Sequence, residues 1–270
     1  GKSNWIKGED LPRRSTVLFD LDGTLTPPRG AMPGKIRTAL SQLQKHAYIG
    51  ILTGSPYNYV LEQTEILWDI GIDPNNIEIL ACNGTKRYLW DGKKYILSKE
   101  NDMIVEITKD RFEELIRCLL SIQNTAAHFF KFPLTGNFIS YRGSMVNYCP
   151  IGRDAPNSYR KEFEELDKQH GIRDDIMNSL QSRLKDNGLD KILTYALGGS
   201  TSVDIYPNGW DKTFALKHFA GSKNIYFVGD KCKPGGNDYH VYVDERTIGF
   251  ETDGPDHTCE IIKQIINLEK

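Results

Sequence analysis

Two aspartates one residue apart, Asp20 and Asp22, end an apolar run, Val17-Leu18-Phe19, and lead at once into Gly23-Thr24-Leu25-Thr26. A short apolar run bounded by turn signals reads as a buried strand of a parallel sheet. The carboxyl end of such a strand is where open α/β sheets place their ligands. Side chains alternate along an extended backbone, so the two carboxylates share a side and can address one site, unless the turn at Gly23 rotates the second away. Carboxylates this close repel, so either one takes up a proton or a cation sits between them.

Three further points along the chain put polar groups where strands end or helices begin. Thr53-Gly54-Ser55 follows the apolar run Tyr48–Leu52, Lys212 opens a helix after Trp210-Asp211, and Gly229-Asp230 follows the apolar run Asn224–Val228. Taken singly, Lys212 reads as a solvated helix lysine and Asp230 as a turn residue. In one parallel sheet, however, all four ends converge on a single edge, which is what a phosphate site requires.

The elements that must position these groups follow from hydrophobic periodicity. Met32, Ile36, Leu40 and Leu43 keep helical spacing over residues 33–47. Pro56 suits the first turn of a second helix carrying Val60, Leu61, Thr64 and Leu67. Ile77–Ala81 is a third strand, and strand alternating with helix predicts a doubly wound α/β sheet. The rhythm then changes. Asp91-Gly92 between aromatic-rich runs marks a hairpin, and a helix carrying Phe112, Leu115, Ile116 and Leu119 follows. Strand-like runs are expected at His128–Phe132, Asn137–Arg142 and Ser144–Cys149, helices near 157–169 and 172–187, and strands at Lys191–Ala196 and Ser200–Tyr206. On the last of these, period two sets Ser200, Ser202 and Asp204 on one face and Val203 and Ile205 on the other. The parallel rhythm resumes at Lys212 and closes with a helix near 255–268. The expected organisation is a core made of residues 1–99 and 207–270, interrupted by an α+β insert, residues 100–206, with an antiparallel sheet.

Composition sets outer bounds. At 270 residues, with 39% hydrophobic and 26% charged residues, the chain is ordinary for a soluble globular protein. A net charge of −2 gives no reason to invoke nucleic acid or an anionic membrane. No apolar run reaches the ~20 residues that span a bilayer, and Gly1–Arg14 reads as a short polar extension rather than a signal peptide. Five scattered cysteines without a C-x-x-C argue for a reducing compartment, and against a disulfide frame or a zinc site.

The string Phe19-Asp-Leu-Asp-Gly-Thr-Leu-Thr26 resembles the signature of haloacid-dehalogenase-type phosphotransferases, and the other three motifs follow in that family's order. Within this superfamily the chain is most similar to the eukaryotic-type phosphomannomutases. The matching stretches are Arg29, Asn147, Pro150-Ile-Gly-Arg153, Arg160, Phe163-Glu-Glu-Leu-Asp167, Gly198-Gly199, Ser202-Val-Asp204, Pro207-Asn-Gly-Trp-Asp-Lys212, and Gly229-Asp-Lys231 with Pro234-Gly-Gly-Asn-Asp238. They run from about Leu18 to the C-terminal helix. The chain departs from the family pattern at Cys82-Asn83-Gly84 (Glu-Asn-Gly there), at Leu134-Thr-Gly-Asn-Phe (a basic stretch there) and at Thr53 (Gly there).

The resemblance implies a Rossmann-like core with an inserted cap. Asp20 would be the nucleophile, Asp22 the general acid/base, and Thr53 or Ser55 a hydroxyl on the phosphate. Lys212 would neutralise the phosphate, and Mg2+ would be held by Asp20, Asp230 and the main-chain carbonyl of Asp22. The phosphosugar would be bound by Arg29, Arg142, Arg153, Arg160, Ser202 and Asp204. The chemistry is coherent: a carboxylate nucleophile splits phosphoryl transfer into two easier steps, and a second carboxyl protonates the leaving oxygen. The activity implied is interconversion of mannose 6-phosphate and mannose 1-phosphate, with a hexose 1,6-bisphosphate as activator, in the cytoplasm, supplying GDP-mannose biosynthesis, by a homodimer formed through the cap. Alternatives are a Mg2+-dependent sugar-phosphate phosphatase of the same superfamily and a catalytically silent phosphosugar-binding protein.

Overall fold

The computed structural model describes residues 14–28, 30–68 and 71–270. The polar extension expected over Gly1–Arg14 therefore lies, except for Arg14, outside the described residues, as does Arg29. The chain divides into two units, Gly1–Glu100 with Gly209–Lys270, and Asn101–Asn208.

The first unit opens with β1 (Thr16–Phe19), α1 (Gly34–Leu43), β2 (Tyr48–Leu52), α2 (Tyr57–Gln63) and β3 (Ile77–Ala81), all three strands fully buried. Buried on both faces, these strands need apolar residues at successive positions, as in TVLF, YIGIL and IEILA. The exception in β3 is Glu78, whose buried carboxylate is gripped at both oxygens by Arg87 of β4 (Lys86–Trp90). That pair fastens the antiparallel β4 to the parallel sheet, and the hairpin partner β5 (Tyr95–Glu100) extends it. Asp91 accepts from the Lys93 and Lys94 amides and closes the hairpin turn.

The second unit contains α3 (Met103–Ile107), α4 (Lys109–Phe130), β6 (Ile139–Tyr141), β7 (Val146–Tyr148), α5 (Asn157–His170), α6 (Ile172–Asp186), β8 (Leu193–Gly198) and β9 (Ser202–Pro207). Its strands form an antiparallel sheet in the order β6-β7-β9-β8. No strand forms at His128–Phe132. The buried stripe Leu115, Cys118, Leu119, Ile122 and Ala126 carries α4 on to Phe130, so the helical packing face overrides the β-propensity of the aromatic pair. Lys131 ends the helix in the left-handed region, φ 54°.

The chain then returns to the first unit. A 3₁₀ helix, Lys212–Phe219, stands where an ordinary helix was expected, followed by β10 (Ile225–Gly229), α7 (Tyr239–Val243), β11 (Thr247–Glu251) and α8 (Pro255–Leu268). The sheet order is β11-β10-β1-β2-β3-β4-β5, parallel from β11 to β3. One face buries Val17, Phe19, Ile49 and Ile51 against α1, α2 and α8; the other buries Leu18, Leu80 and Phe227 against the 3₁₀ helix and α7. β1 lies between β2 and β10, so the connections depart in opposite directions on its two sides. That topological switch point is where an α/β sheet opens a crevice for a ligand.

Candidate active site

Asp20 emerges at the carboxyl end of β1, its amide bonded to the Val228 carbonyl of β10 (2.9 Å). The residue is 6% exposed. Lys212, more deeply buried still, donates from Nζ to Asp20 Oδ1 and to Asp238 Oδ1, both at 2.6 Å. The lysine is held there because Asp211 caps its helix, accepting from the Thr213 amide (2.9 Å) and fixing the first turn. Asp238 is fully buried and also accepts from the Lys231 amide, which folds the 230–238 loop back on itself.

Burial pushes the Asp20 carboxyl up to about 8; Lys212 opposes the rise and Asp238 adds to it. Lys212 is raised, its two carboxylate partners outweighing its own desolvation. The ammonium is therefore the secure charge of the group, and the carboxylates are those in excess.

Ligand atoms of Asp20, Asp230 and Asp238 all lie within 4.8 Å of one another. Asp230 Oδ1 is buried and finds no hydrogen-bond partner among the described residues. Three carboxylates against one ammonium, with an orphaned oxygen, fit a hard divalent cation, which takes oxygen ligands. The close approach depends on Gly23: at φ 77° it is in a conformation glycine tolerates best, and a Cβ there would lie 2.2 Å from Asp230 Oδ2.

The Asp22 side chain belongs elsewhere. Its Oδ1 accepts from Gln63 Nε2 at 2.8 Å, and it is not in the acidic cluster. The turn beginning at Gly23, with the Gly23 amide bonded to the Thr26 carbonyl, ends the extended run in which Asp20 and Asp22 would share a face. Thr53 and Ser55 leave β2, whose Ile51 pairs with Phe19, so their loop stands one strand away at the same sheet edge. Thr53 Oγ1 accepts from the Ser55 amide (3.0 Å), and amides of the Cys82-Asn83 turn bond the Ser55 and Thr53 carbonyls (3.1 and 2.8 Å). Cys82 and Asn83 both take positive φ to do so, 50° and 62°.

In the second unit two of the expected substrate residues, Ser202 and Asp204, meet on the antiparallel sheet. Asn147 of β7 pairs directly with Asp204 of β9 in the strand register, donates to its carboxylate (2.8 Å), and accepts from Ser202 Oγ (3.3 Å). Burial raises the Asp204 carboxyl, while the Asn147 hydrogen bond and the positive charges of Arg142 and Arg153 pull it back. Arg160 donates to the Arg153 carbonyl (3.2 Å) and to Thr201 Oγ1 (3.3 Å). Ser200 lies in the turn before β9, so the expected polar face is reduced to Ser202 and Asp204. Asn147, Asp238 and Gln63 were not among the expected site residues. Asn147 and Asp238 lie in the motif stretches, whereas Gln63 carries no signal in the sequence.

A sheet with this switch point, an aspartate-lysine pair at its edge and an inserted antiparallel unit define the haloacid-dehalogenase fold. Solved structures agree. An IMP-bound mutant of Plasmodium falciparum IMP-nucleotidase has TM-score 0.66 at 15% identity over 94% of this chain and 67% of its own. Aspergillus fumigatus trehalose-6-phosphate phosphatase has TM-score 0.55 at 12% identity over 94% and 93%. The sequence profile of eukaryotic phosphomannomutases matches residues 36–268. Relatives named phosphomannomutase are 36% identical in Saccharomyces cerevisiae (93% of this chain, 94% of theirs) and 35% identical in Drosophila melanogaster (93% and 95%). The chain belongs to the eukaryotic phosphomannomutase family.

Proposed function

We propose that the protein interconverts mannose 6-phosphate and mannose 1-phosphate through an aspartyl-phosphate and a hexose 1,6-bisphosphate. The observation that carries this reading is a pair of anion-handling sites. Buried Asp20 is held by Lys212 in the first unit; in the second, the positive charges of Arg142 and Arg153 act on Asp204, and Arg160 bonds Thr201 Oγ1 and the Arg153 carbonyl. A mutase must hold a bisphosphate either way round; a phosphatase needs one phosphate site and a water.

In one half of the cycle Asp20 Oδ attacks a phosphorus of the hexose 1,6-bisphosphate, that phosphorus–oxygen bond to the sugar breaks, and the released sugar oxygen takes the proton of the Asp22 carboxyl, leaving a hexose monophosphate and the aspartyl-phosphate. In the other half Asp22, now a carboxylate, removes the proton of the free hydroxyl of a hexose monophosphate (the C6 hydroxyl of mannose 1-phosphate) as that oxygen attacks the aspartyl-phosphate, Asp20 departs and the bisphosphate is formed. Lys212 neutralises the phosphate and keeps Asp20 aimed, and the hydroxyls of Thr53 and Ser55 bond the phosphoryl oxygens. Magnesium, held by Asp20, Asp230 and the Asp22 main-chain carbonyl, with Asp238 beside them, would offset the charge that builds up on the phosphate. Arg29, Arg142, Arg153 and Arg160, with Ser202 and Asp204, bind the phosphosugar, since arginine forks match phosphate oxygens with paired hydrogen bonds.

The test is phosphorus NMR of the purified protein with mannose 1-phosphate, magnesium and a hexose 1,6-bisphosphate. A growing mannose 6-phosphate signal is expected; inorganic phosphate as the main product would replace the mutase with a phosphatase. We place the activity in the cytoplasm, where it would supply GDP-mannose biosynthesis. All five cysteines are free, which suits that compartment. No described helix is long and apolar enough to cross a membrane. Exposed Leu120 and Phe129 on α4 support a homodimer formed through the second unit.

A further inference from the structure

Gln63 is buried at the end of α2, 6% exposed, and its side-chain amide touches the reacting groups' own loop. Nε2 lies 2.8 Å from Asp22 Oδ1 and 2.9 Å from the Gly30 carbonyl oxygen. A carbonyl can only accept, and a carboxylate oxygen beside it accepts as well, so the chemistry of the partners requires the NH2 group at this end. The Gln63 main-chain carbonyl accepts from the Met32 amide (2.9 Å), so the residue ties the 22–32 segment to α2 through both side chain and backbone. Its other side-chain atom, Oε1, is buried with no partner among the described residues. The placement of Gln63 is accounted for by what the NH2 end holds.

We propose that Gln63 is a positioning residue for the general acid/base: by donating to Asp22 Oδ1, it orients the carboxyl so that Oδ2 carries the proton exchanged with the sugar oxygen. Oδ1 accepts the Gln63 bond whether Asp22 is protonated or not, so one oxygen stays anchored while the other gives and takes the proton. This inference rests on the mutase reading, in which Asp22 has that role.

The test is a cycle of four proteins: wild type, Gln63→Leu, Asp22→Asn and the double variant. The readouts are kcat and KM with mannose 1-phosphate, and the rapid-quench rate at which a labelled hexose 1,6-bisphosphate phosphorylates Asp20. Leucine keeps the volume of the side chain, and Gln63→Met serves if the thermal midpoint falls. A misaligned acid should lower kcat and the phosphorylation rate about 10- to 100-fold, with KM within about threefold. In the Asp22→Asn background the same substitution should change the rate by no more than about twofold, because the group it aims is gone. Losses that multiply in the double variant, a rise in KM in place of a fall in kcat, or wild-type rates for Gln63→Leu would each overturn the proposal. Wild-type rates for Asp22→Asn would instead overturn the assignment of Asp22, which separates the two failures.

Discussion

Replacing Lys212 with methionine tests the electrostatics of the site most directly. Lys212 Nζ sits 2.6 Å from Asp20 Oδ1 and from Asp238 Oδ1, with all three side chains buried. At an effective dielectric of about 20, each contact is worth about 6 kcal/mol of gross attraction. Desolvating the three charges consumes most of this, but removing one partner of a buried pair strands the others and costs about 3–5 kcal/mol. Lys212→Met should therefore lower the unfolding free energy by about that amount in metal-free buffer. The loss should depend on pH. The Asp20 carboxyl is already raised by burial from 3.8 to about 8, so the folded state binds a proton that the unfolded state releases across that window. Stability of the metal-free protein thus falls as pH rises through it, and removing the lysine steepens the fall. Magnesium should reverse the pattern: with the ammonium gone, the ionised cluster goes from two negative charges in excess to three. The variant should gain more stability from the ion than wild type does. Urea unfolding at pH 5 and pH 8, with chelator and with magnesium, measures all of this. A loss below about 1 kcal/mol at pH 8 would refute the reasoning, since it lies under the range for a stranded buried charge. Equal stabilisation of both proteins by magnesium would do the same.

Other expectations follow from the same geometry. Asp20→Asn should abolish mutase turnover and phosphoprotein formation while leaving the fold intact, as read by circular dichroism and a rapid-quench assay; substantial activity in a clean preparation would exclude a covalent step at this residue. Arg160→Gln should weaken the hold on the bisphosphate and lower mutase flux by roughly one to three orders of magnitude. The ratio of mannose 6-phosphate to inorganic phosphate should drop with it, and an unchanged ratio would remove the arginine from substrate binding. Burial, with Arg87 nearby, lowers His218 from 6.5 to about 4. The unfolded state therefore binds the extra proton between those values, and stability falls as pH drops from 6.5 to 4, by up to about 3 kcal/mol from this group. His218→Gln should flatten that slope in urea titrations.

Local pattern was enough for much of this protein. Val17-Leu18-Phe19, a short apolar run bounded by turn signals, reads as a buried strand, since a strand covered on both faces needs successive apolar residues. A strand ending in Asp20 places a carboxylate at the sheet edge with no further information. The same logic placed Thr53, Ser55 and Asp230 at strand ends and Lys212 at a helix start. Periodicity also separated a parallel core from a segment of clustered strands. Local pattern failed where a neighbour decides. Phe129 and Phe130 favour a strand by type but belong to α4, because Leu115, Ile122 and Ala126 upstream had already committed that helix to its packing face. The edge strand β11 was not anticipated, since it is only half-buried and draws its pairing from β10. The site divides in the same way. That Asp20 and Lys212, 192 residues apart, would meet at 2.6 Å is a property of the sheet order, not of either motif. Asp238 joins them only because its loop folds back onto Lys231, and Gln63 reaches Asp22 only because α2 packs beside the 22–32 segment. Residue type and spacing determine which groups are presented at a sheet edge. Which of them share a proton, a charge or a hydrogen bond is decided by side-chain packing between elements far apart in the chain, and only the tertiary structure contains that information.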